Sequence, residues 1–224
     1  MTASTAFSGL ARLRDPSIPH GWTWESIGDV ADCRLGKMLD KAKNKGKEVP
    51  YLRNINVQWY EIHLDDLKTM RFEAHEVPDY ALSPGDVLVC EGGEPGRAAV
   101  WRHHIDSMVF QKALHRVRTS PDLDPDFFCH WMRFVTTRGW LDDFLTGSTI
   151  KHFPANKLAA LPIALPPIER QVAIVQEINT FFMSIERLEA QLDGTLQRLR
   201  TMRLSVLSRG FSGEGGKPPE GSES

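Results

Sequence analysis

Cysteine is scarce in this chain: Cys33, Cys90 and Cys129 stand far apart among 224 residues, with no C-x-x-C pair. That excludes a disulfide framework and a cysteine-rich zinc site, and it fits a reducing compartment, so a cytoplasmic protein is expected. Long apolar runs are also lacking. Nowhere do about 18 apolar residues follow one another, so no membrane-spanning helix is expected, and the N-terminus has neither the cationic start nor the apolar stretch of a signal peptide. An excess of one charge is missing as well. With 27 Lys and Arg against 29 Asp and Glu, the net charge is −2, without the overall basic balance of a simple nucleic-acid binder.

Catalytic constellations are equally absent. Gly92-Gly93-Glu94-Pro95-Gly96 is glycine-rich, but no Lys-Ser or Lys-Thr follows, and Pro95 removes an N–H that a phosphate cradle uses; a tight turn is expected. The eight histidines form no H-E-x-x-H spacing, and adjacent His103 and His104 alternate sides of an extended chain. Ser148 follows a glycine without the G-x-S-x-G elbow. Asp86 and Glu91 have no lysine nearby to complete a nuclease motif, so they read as turn and strand-end residues. There is no D/N-P-P-Y/F motif for methyl transfer to an amino group. No metal site is expected, and the chain reads as a non-enzyme.

What is present suits a folded protein, at 41% hydrophobic and 25% charged. Residues 1–19, broken by Pro16 and Pro19, read as a flexible leader. From 20 to 161 the signals are mixed, and an α+β domain is expected. Apolar runs such as Val87-Leu88-Val89-Cys90 and Ala98-Ala99-Val100-Trp101 suit strands, separated by turns at Ser83-Pro84-Gly85-Asp86 and Gly93-Glu94-Pro95-Gly96. Asp124 followed by Pro125 marks a helix start, with Asp as N-cap and Pro at the first helical position. That helical stretch is expected to break near Gly139 and end by Gly147.

After Leu165-Pro166-Pro167, glycine and proline nearly vanish until Gly210, and the segment 162–210 is assigned to a long helix. Ile174, Ile178, Phe181, Ile185, Leu188, Leu192, Thr195, Leu199, Met202 and Val206 follow one another at alternating spacings of 4 and 3. This is the a/d seam of a coiled coil. Phe182 and Leu196, at flanking e positions, widen the stripe. Gly194 and Thr195 mark a place for a bend or a close crossing. The helix covers about 40 residues and about 60 Å. The tail 211–224, rich in Gly, Ser, Pro and Glu, reads as disordered.

The near-neutral total hides a local imbalance. Between Arg34 and Arg53, seven basic residues face two acidic ones, net +5; between Tyr60 and Asp79, six acidic residues face two basic ones, net −4. Phosphate contacts need local Lys and Arg, and base edges match the forks of Arg, Asn and Gln. If Arg53-Asn54-Ile55-Asn56-Val57-Gln58 is a strand, then Asn54, Asn56 and Gln58 share one face. On the residues alone, the reading that the lysines solvate a loop and the amides cap turns is the default.

These residues resemble the specificity subunits of type I restriction-modification systems, which choose the DNA sequence. Leu161-Pro162-Ile163-Ala164-Leu165-Pro166-Pro167-Ile168-Glu169-Arg170-Gln171-Val172-Ala173-Ile174-Val175 is similar to the family's junction between a target-recognition domain and its conserved long helix. Gly21-Trp22-Thr23-Trp24, Pro50-Tyr51-Leu52-Arg53-Asn54, Gly85-Asp86-Val87-Leu88-Val89 and Gly147-Ser148-Thr149-Ile150-Lys151 fall in the family's order. The resemblance covers residues 20 to 213.

It implies a globular target-recognition domain (20–161) and a coiled-coil spacer helix (162–210) that pairs antiparallel with a partner copy. It also implies double-stranded DNA and methyltransferase subunits as partners, and restriction subunits beside them. S-adenosylmethionine and ATP would belong to those partner subunits, and this chain is expected to bind no cofactor. Family members commonly hold two recognition domains and two long helices; this sequence has one of each, as in half-size subunits that pair or in a piece of a longer family member.

Expected phosphate contacts are Lys37, Lys41, Lys43, Lys45 and Lys47, with Arg53, Asn54, Asn56 and Gln58 as base readers. Gln111, Lys112, Ser148, Thr149, Lys151 and His152 are second-choice contacts. The alternative function is a coiled-coil protein-interaction module that does not bind DNA.

Overall fold

A computed structural model describes residues 18–40 and 42–212. The expected leader and tail therefore lie outside the described residues except at their inner ends, and so does Lys41. The chain forms two compact units, one ending at Val175 and the other beginning at Gln176.

The first unit is α+β. In chain order it contains β1 (Thr23–Ser26), α1 (Ile27–Val30), β2 (Ala31–Leu35), β3 (Lys47–Leu52), β4 (Lys68–Phe72), α2 (Val77–Tyr80), β5 (Val87–Cys90) and β6 (Ala98–Val100). There follow β7 (Val109–Phe110), β8 (Leu114–Thr119), α3 (Pro125–Thr137), α4 (Ala155–Ala159) and β9 (Pro162–Leu165). A third element type, 3-10 helix, covers Asn54–Asn56 and Trp140–Phe144.

The central sheet has the order β2-β8-β5-β6, all antiparallel, and a second sheet has the order β4-β3-β7. Strand β5 shows why its sequence is apolar throughout. Val87 and Val89 face a core built with α3, including Phe128, Met132 and Val135, while Leu88 and Cys90 face a second core with Leu52, Trp101 and Phe110. A strand covered on both faces has no polar side to alternate with.

Strand β8 carries charge into that arrangement. Arg116, 4% exposed, donates Nη1 to the carbonyls of Asp79 and Ala81 and Nη2 to Asp32, tying the end of α2 to the sheet. Arg118 grips the buried Asp86 through Nε and Nη2 at 2.7 and 2.8 Å. Asp86 also accepts from the Ser83 N–H, which closes the expected turn.

Helix α3 starts where its cap dictates: the Asp124 side chain accepts from the Phe127 N–H at 2.9 Å, and Pro125 opens the first turn. It ends before Gly139, whose φ of +69° is left-handed, and the chain resumes as the 3-10 helix.

Two expectations are corrected here. Residues 162–165, assigned to the long helix, form strand β9 paired with β1 in the register Thr23↔Leu165 to Ser26↔Pro162. Residues 54–56 are a 3-10 helix rather than a strand, so Asn54, Asn56 and Gln58 do not share a strand face.

Helix α5 runs Ile168–Phe211, 44 residues, starting after the Pro166-Pro167 pair and passing through both Gly194 and the expected stop at Gly210. Its first turns belong to the first unit. Gln171 is fully buried there: its Oε1 accepts from the Asp124 N–H, and its Nε2 donates to the carbonyls of Asp122 and Pro166. One side chain thus fixes both the cap of α3 and the start of α5.

The second unit is the rest of that helix, Gln176 onward. Thr180, Ser184, Thr195 and Thr201 return their hydroxyls to the carbonyl four residues back. Phe181, Ile185, Leu188, Leu192, Leu199, Met202 and Val206 are all exposed. Among the described residues, no helix is long and apolar enough to cross a membrane.

Candidate nucleic-acid interface

The basic segment and the acidic segment that answers it in sequence meet in space. Arg34 pairs with Asp79, Lys37 with Glu76 at 2.6 Å, Arg53 with Asp66 at 2.7 Å, and Arg71 with Glu48 at 4.0 Å. The Arg53 bond, with help from Lys68, holds the Asp66 carboxyl below its usual range, and the Lys37 bond does the same for Glu76. Part of the +5 is therefore spent on the fold.

Three predicted contact residues are engaged within the fold. The Lys37 side chain is 11% exposed and its ammonium lies over the Phe72 ring, so it bridges the two segments. The Arg53 guanidinium donates to the Asp66 carboxylate and carbonyl. Asn56 is 3% exposed: its Oδ1 accepts from the Arg53 N–H and its Nδ2 donates to the His63 carbonyl at 3.1 Å. A buried amide committed to backbone has no fork left for a base edge.

Lys43 and Lys45, in the loop between β2 and β3, and Lys47, at the start of β3, are exposed. Gly36 and Gly46 fix the loop's two ends by close approach, since a Cβ at Gly36 would lie 2.2 Å from the Gln111 carbonyl oxygen and one at Gly46 2.0 Å from that of Phe72. Between them, Asp40 Oδ1 accepts from the N–H groups of Ala42 and Lys43. Lys43 makes a loose pair with Asp40 at 3.7 Å. Lys45 and Lys47 are exposed and form no ion pair with the described residues.

Of the other predicted residues, Asn54 and His152 reach one turn, Glu91-Gly92-Gly93, and the segments that carry Gln111, Lys112 and Lys151 are bonded to the same strand end. The Glu91 N–H donates to the Ala113 carbonyl, and the Phe153 N–H donates to the Glu91 carbonyl, both near 2.9 Å. Asn54 Nδ2 donates to the Gly92 carbonyl, and a Cβ at Gly93 would come within 2.7 Å of that nitrogen. His152 Nδ1 lies 3.5 Å from the Glu91 carboxylate. On one side, the Lys112 N–H donates to the Lys37 carbonyl and the Gln111 N–H to the Leu52 carbonyl. On the other, Thr146 and His152 exchange both backbone bonds, closing a loop that leaves Ser148, Thr149 and Lys151 exposed.

Three distant segments, 54, 111–113 and 151–153, are thereby brought to one place, with Lys112 and Lys151 as exposed cations. Gln58 stands apart, its Nε2 donating to the Ile55 carbonyl.

Sequence reasoning missed two residues beneath this surface. Arg97 Nη2 donates to the Asn54 carbonyl at 2.9 Å and its Nη1 pairs with Glu94, which holds the 3-10 helix against the turn. His115 is fully buried and donates Nε2–H to the Phe153 carbonyl at 2.7 Å. Burial pushes its pKa below the ordinary imidazole value, so the ring is neutral. Neither lies in a recognisable motif; a lone histidine inside an apolar strand was the available hint. Among the described residues, no group of His, Cys, Asp and Glu side chains could hold a metal.

The geometry defines a class: a mixed domain that presents amides and cations on main-chain-braced loops, followed by a long helix with an exposed apolar stripe. The same fold occurs in the crystal structure of the HsdS subunit from Thermoanaerobacter tengcongensis, with a TM-score of 0.63 at 17% identity over 92% of this chain and 49% of that one. A chain from a study of complex assembly and conformational transition of the type I R-M system aligns with a TM-score of 0.68 at 18% identity, over 92% of this chain and 50% of that one.

Sequence comparison narrows the class. The family model described as the type I restriction modification DNA specificity domain matches residues 19–198, and the chain belongs to that family. It is 22% identical to the type I restriction enzyme EcoDI specificity subunit of Escherichia coli, over 89% of this chain and 43% of that protein. It is 23% identical to the EcoKI specificity subunit of Escherichia coli strain K12, over 85% and 42%. The chain thus spans less than half the length of these curated relatives.

Proposed function

We propose that this chain is the non-catalytic sequence-reading subunit of a type I restriction-modification complex and that it reads one half of a bipartite duplex DNA target. The observation that carries this is the family match across residues 19–198. In this reading the first unit (20–161 and its flanking strand β9) grips DNA. Lys43, Lys45 and Lys47 contact phosphates from one loop and the strand start after it, with Lys41 alongside, while Lys112, Ser148, Thr149, Lys151 and His152 approach from the braced turn, with Asn54 and Gln58 nearest the bases. Arg53, Asn56, Lys37 and Gln111 shape that surface.

The helix then acts as a spacer. Its exposed seam is covered by the seam of a second copy, and the outer faces dock methyltransferase subunits that bind S-adenosylmethionine; restriction subunits using ATP join that assembly. The location is the cytoplasm of a bacterium. A homodimer carries two identical readers, so its target is an inverted repeat around a nonspecific gap. The helix, about 66 Å long, limits the separation of the half-sites to about 19 base pairs.

The test is methylation-sensitive sequencing of host DNA after coexpression of this chain with its neighbouring methyltransferase gene, with and without the chain. A new split, inverted-repeat adenine motif that depends on the chain is the expected result. An asymmetric motif would demand a different second half-subunit. An assembled complex that marks no new motif would overturn the reading in favour of a protein-binding module.

A further inference from the structure

Two large apolar side chains stand exposed beside each other in the loop between β2 and β3. Met38 is 57% exposed and Leu39 46%, and neither belongs to any of the domain's hydrophobic cores. The other large apolar residues exposed in the first unit, such as Ile55, Ile105, Phe134 and Ile150, stand singly along the chain. Single residues of that kind are ordinary on a protein surface, whereas contiguous ones mark a contact.

The backbone holds the pair out. Gly36 lies against the Gln111 carbonyl, and the Lys112 N–H donates to the Lys37 carbonyl at 2.8 Å, so Met38 follows directly on a residue tied to the candidate interface. Asn44 Nδ2 donates to the Met38 carbonyl, and the Lys43 and Asn44 N–H groups donate to the Asp40 carbonyl. The nearest hollow, a cavity of about 330 Å³ that Leu39 lines with Asn44, Thr69 and Met70, is open, so the fold beneath does not take the pair in.

Charge points to the partner. From Gly36 to Lys47 there are five lysines and one acid, net +4. Lys43, Lys45 and Lys47 are exposed, and Lys112 beside the start of the loop adds another exposed cation. The nearby acids are engaged: Asp40 by backbone N–H groups and Lys43, and Glu48 by Thr69 and Arg71. An apolar protein face set here would leave those ammonium groups without counter-charges. A nucleic-acid duplex answers both features, with phosphates for the lysines and apolar base faces for the pair.

We propose that Met38 and Leu39 form a wedge that enters duplex DNA between two stacked base pairs, held there by phosphate contacts of the surrounding lysines. This inference rests on the DNA reading stated under Proposed function and gives the same surface a second way to discriminate. Pyrimidine–purine steps unstack most easily, so the loop favours them without a hydrogen bond to any base edge. The unbranched Met38 side chain adapts to the gap it opens.

The experiment uses the complex of the full chain with its methyltransferase subunits. Its duplex carries the target found by methylation sequencing, with a fluorescent base analogue placed at one position at a time. The wild-type complex is expected to brighten the analogue at one step of the half-site this chain reads, away from the methylated adenine, whose extrusion gives a signal of its own. M38A/L39A is expected to abolish that brightening and to weaken binding on the order of tenfold at an unchanged salt slope, because no phosphate contact is lost. K43A/K45A is expected to do the reverse, keeping the brightening while the salt slope falls by about two. M38L/L39M, which preserves the apolar bulk, is expected to behave as the wild type.

Specific binding by the wild-type complex with no brightening outside the methylated adenine would overturn the inference. So would brightening that persists in M38A/L39A, or a lower urea midpoint of its domain, which would assign the pair to the fold. A wild-type complex that binds no duplex specifically would instead remove the DNA reading beneath it.

Discussion

The two units treat apolar side chains in opposite ways. The domain hides Trp101, Phe110, Phe128 and Phe153 completely, whereas the helix beyond Gln176 leaves Phe181, Met183 and Val206 about 70% exposed. The domain closes its hydrophobic account alone, so its stability is a property of one chain. The helix carries the same kind of residue with nothing of its own to put against it. Burying each such side chain is worth about 1.5–3 kcal/mol, so the stripe is a stored drive toward association.

This contrast breaks most visibly in the domain. Phe128→Ala is expected to cost about 3–5 kcal/mol, read as a lower urea midpoint for the domain transition. Leu188→Glu is the opposite case: the same midpoint is unchanged in dilute chain, while self-association measured by sedimentation weakens on the order of a hundredfold. A helix substitution that lowered the domain midpoint in the monomer would erase the distinction. Gln171→Ala tests where one behaviour gives way to the other. Losing its three bonds leaves the Asp124 N–H and two carbonyls unpaired, for a domain cost of about 2 kcal/mol.

Smaller effects sharpen the domain side. Lys112→Ala and Lys151→Ala are each expected to lower the salt slope of DNA binding by about one ion without changing the target, checked by titration of the assembled complex. The smallest effect is pH. His115 is neutral in the fold with a lowered pKa, so below about 6.5 the unfolded chain binds the extra proton and the folded one does not. Stability is therefore fully present above that value and falls as pH drops through it toward the folded pKa. His130, also lowered by burial, adds in the same direction. The acid-side slope of stability is expected to be shallower in His115→Gln.

How much was legible follows from the range over which each signal acts. The cap at Asp124-Pro125 and the turns at Gly85 and Gly93 are decided within four residues, and the helix by a spacing repeated along its length; all of these can be read from the sequence. The Asn54–Asn56 turn could not be. Asn56 chooses it by bonding the His63 carbonyl seven residues on, while Arg53 reaches Asp66. The opposite charges of 34–53 and 60–79 were visible as numbers, but their mutual neutralisation depends on β3 lying beside β4, which sets Glu48 near Arg71, and on the start of α2 reaching the end of β2, which sets Asp79 on Arg34 and Glu76 on Lys37. The meeting of 54, 112 and 152 at one turn is a property of topology, for which the chain holds no local sign.

That turn has a consequence for how the surface can change. Glu91, Ala113, Phe153, Lys112, Lys37, Thr146 and His152 are joined by main-chain bonds, which any non-proline residue can make. The frame is thus indifferent to the side chains it displays at 112, 148, 149 and 151. A library randomised at those positions is therefore expected to keep its fold while its surface chemistry varies.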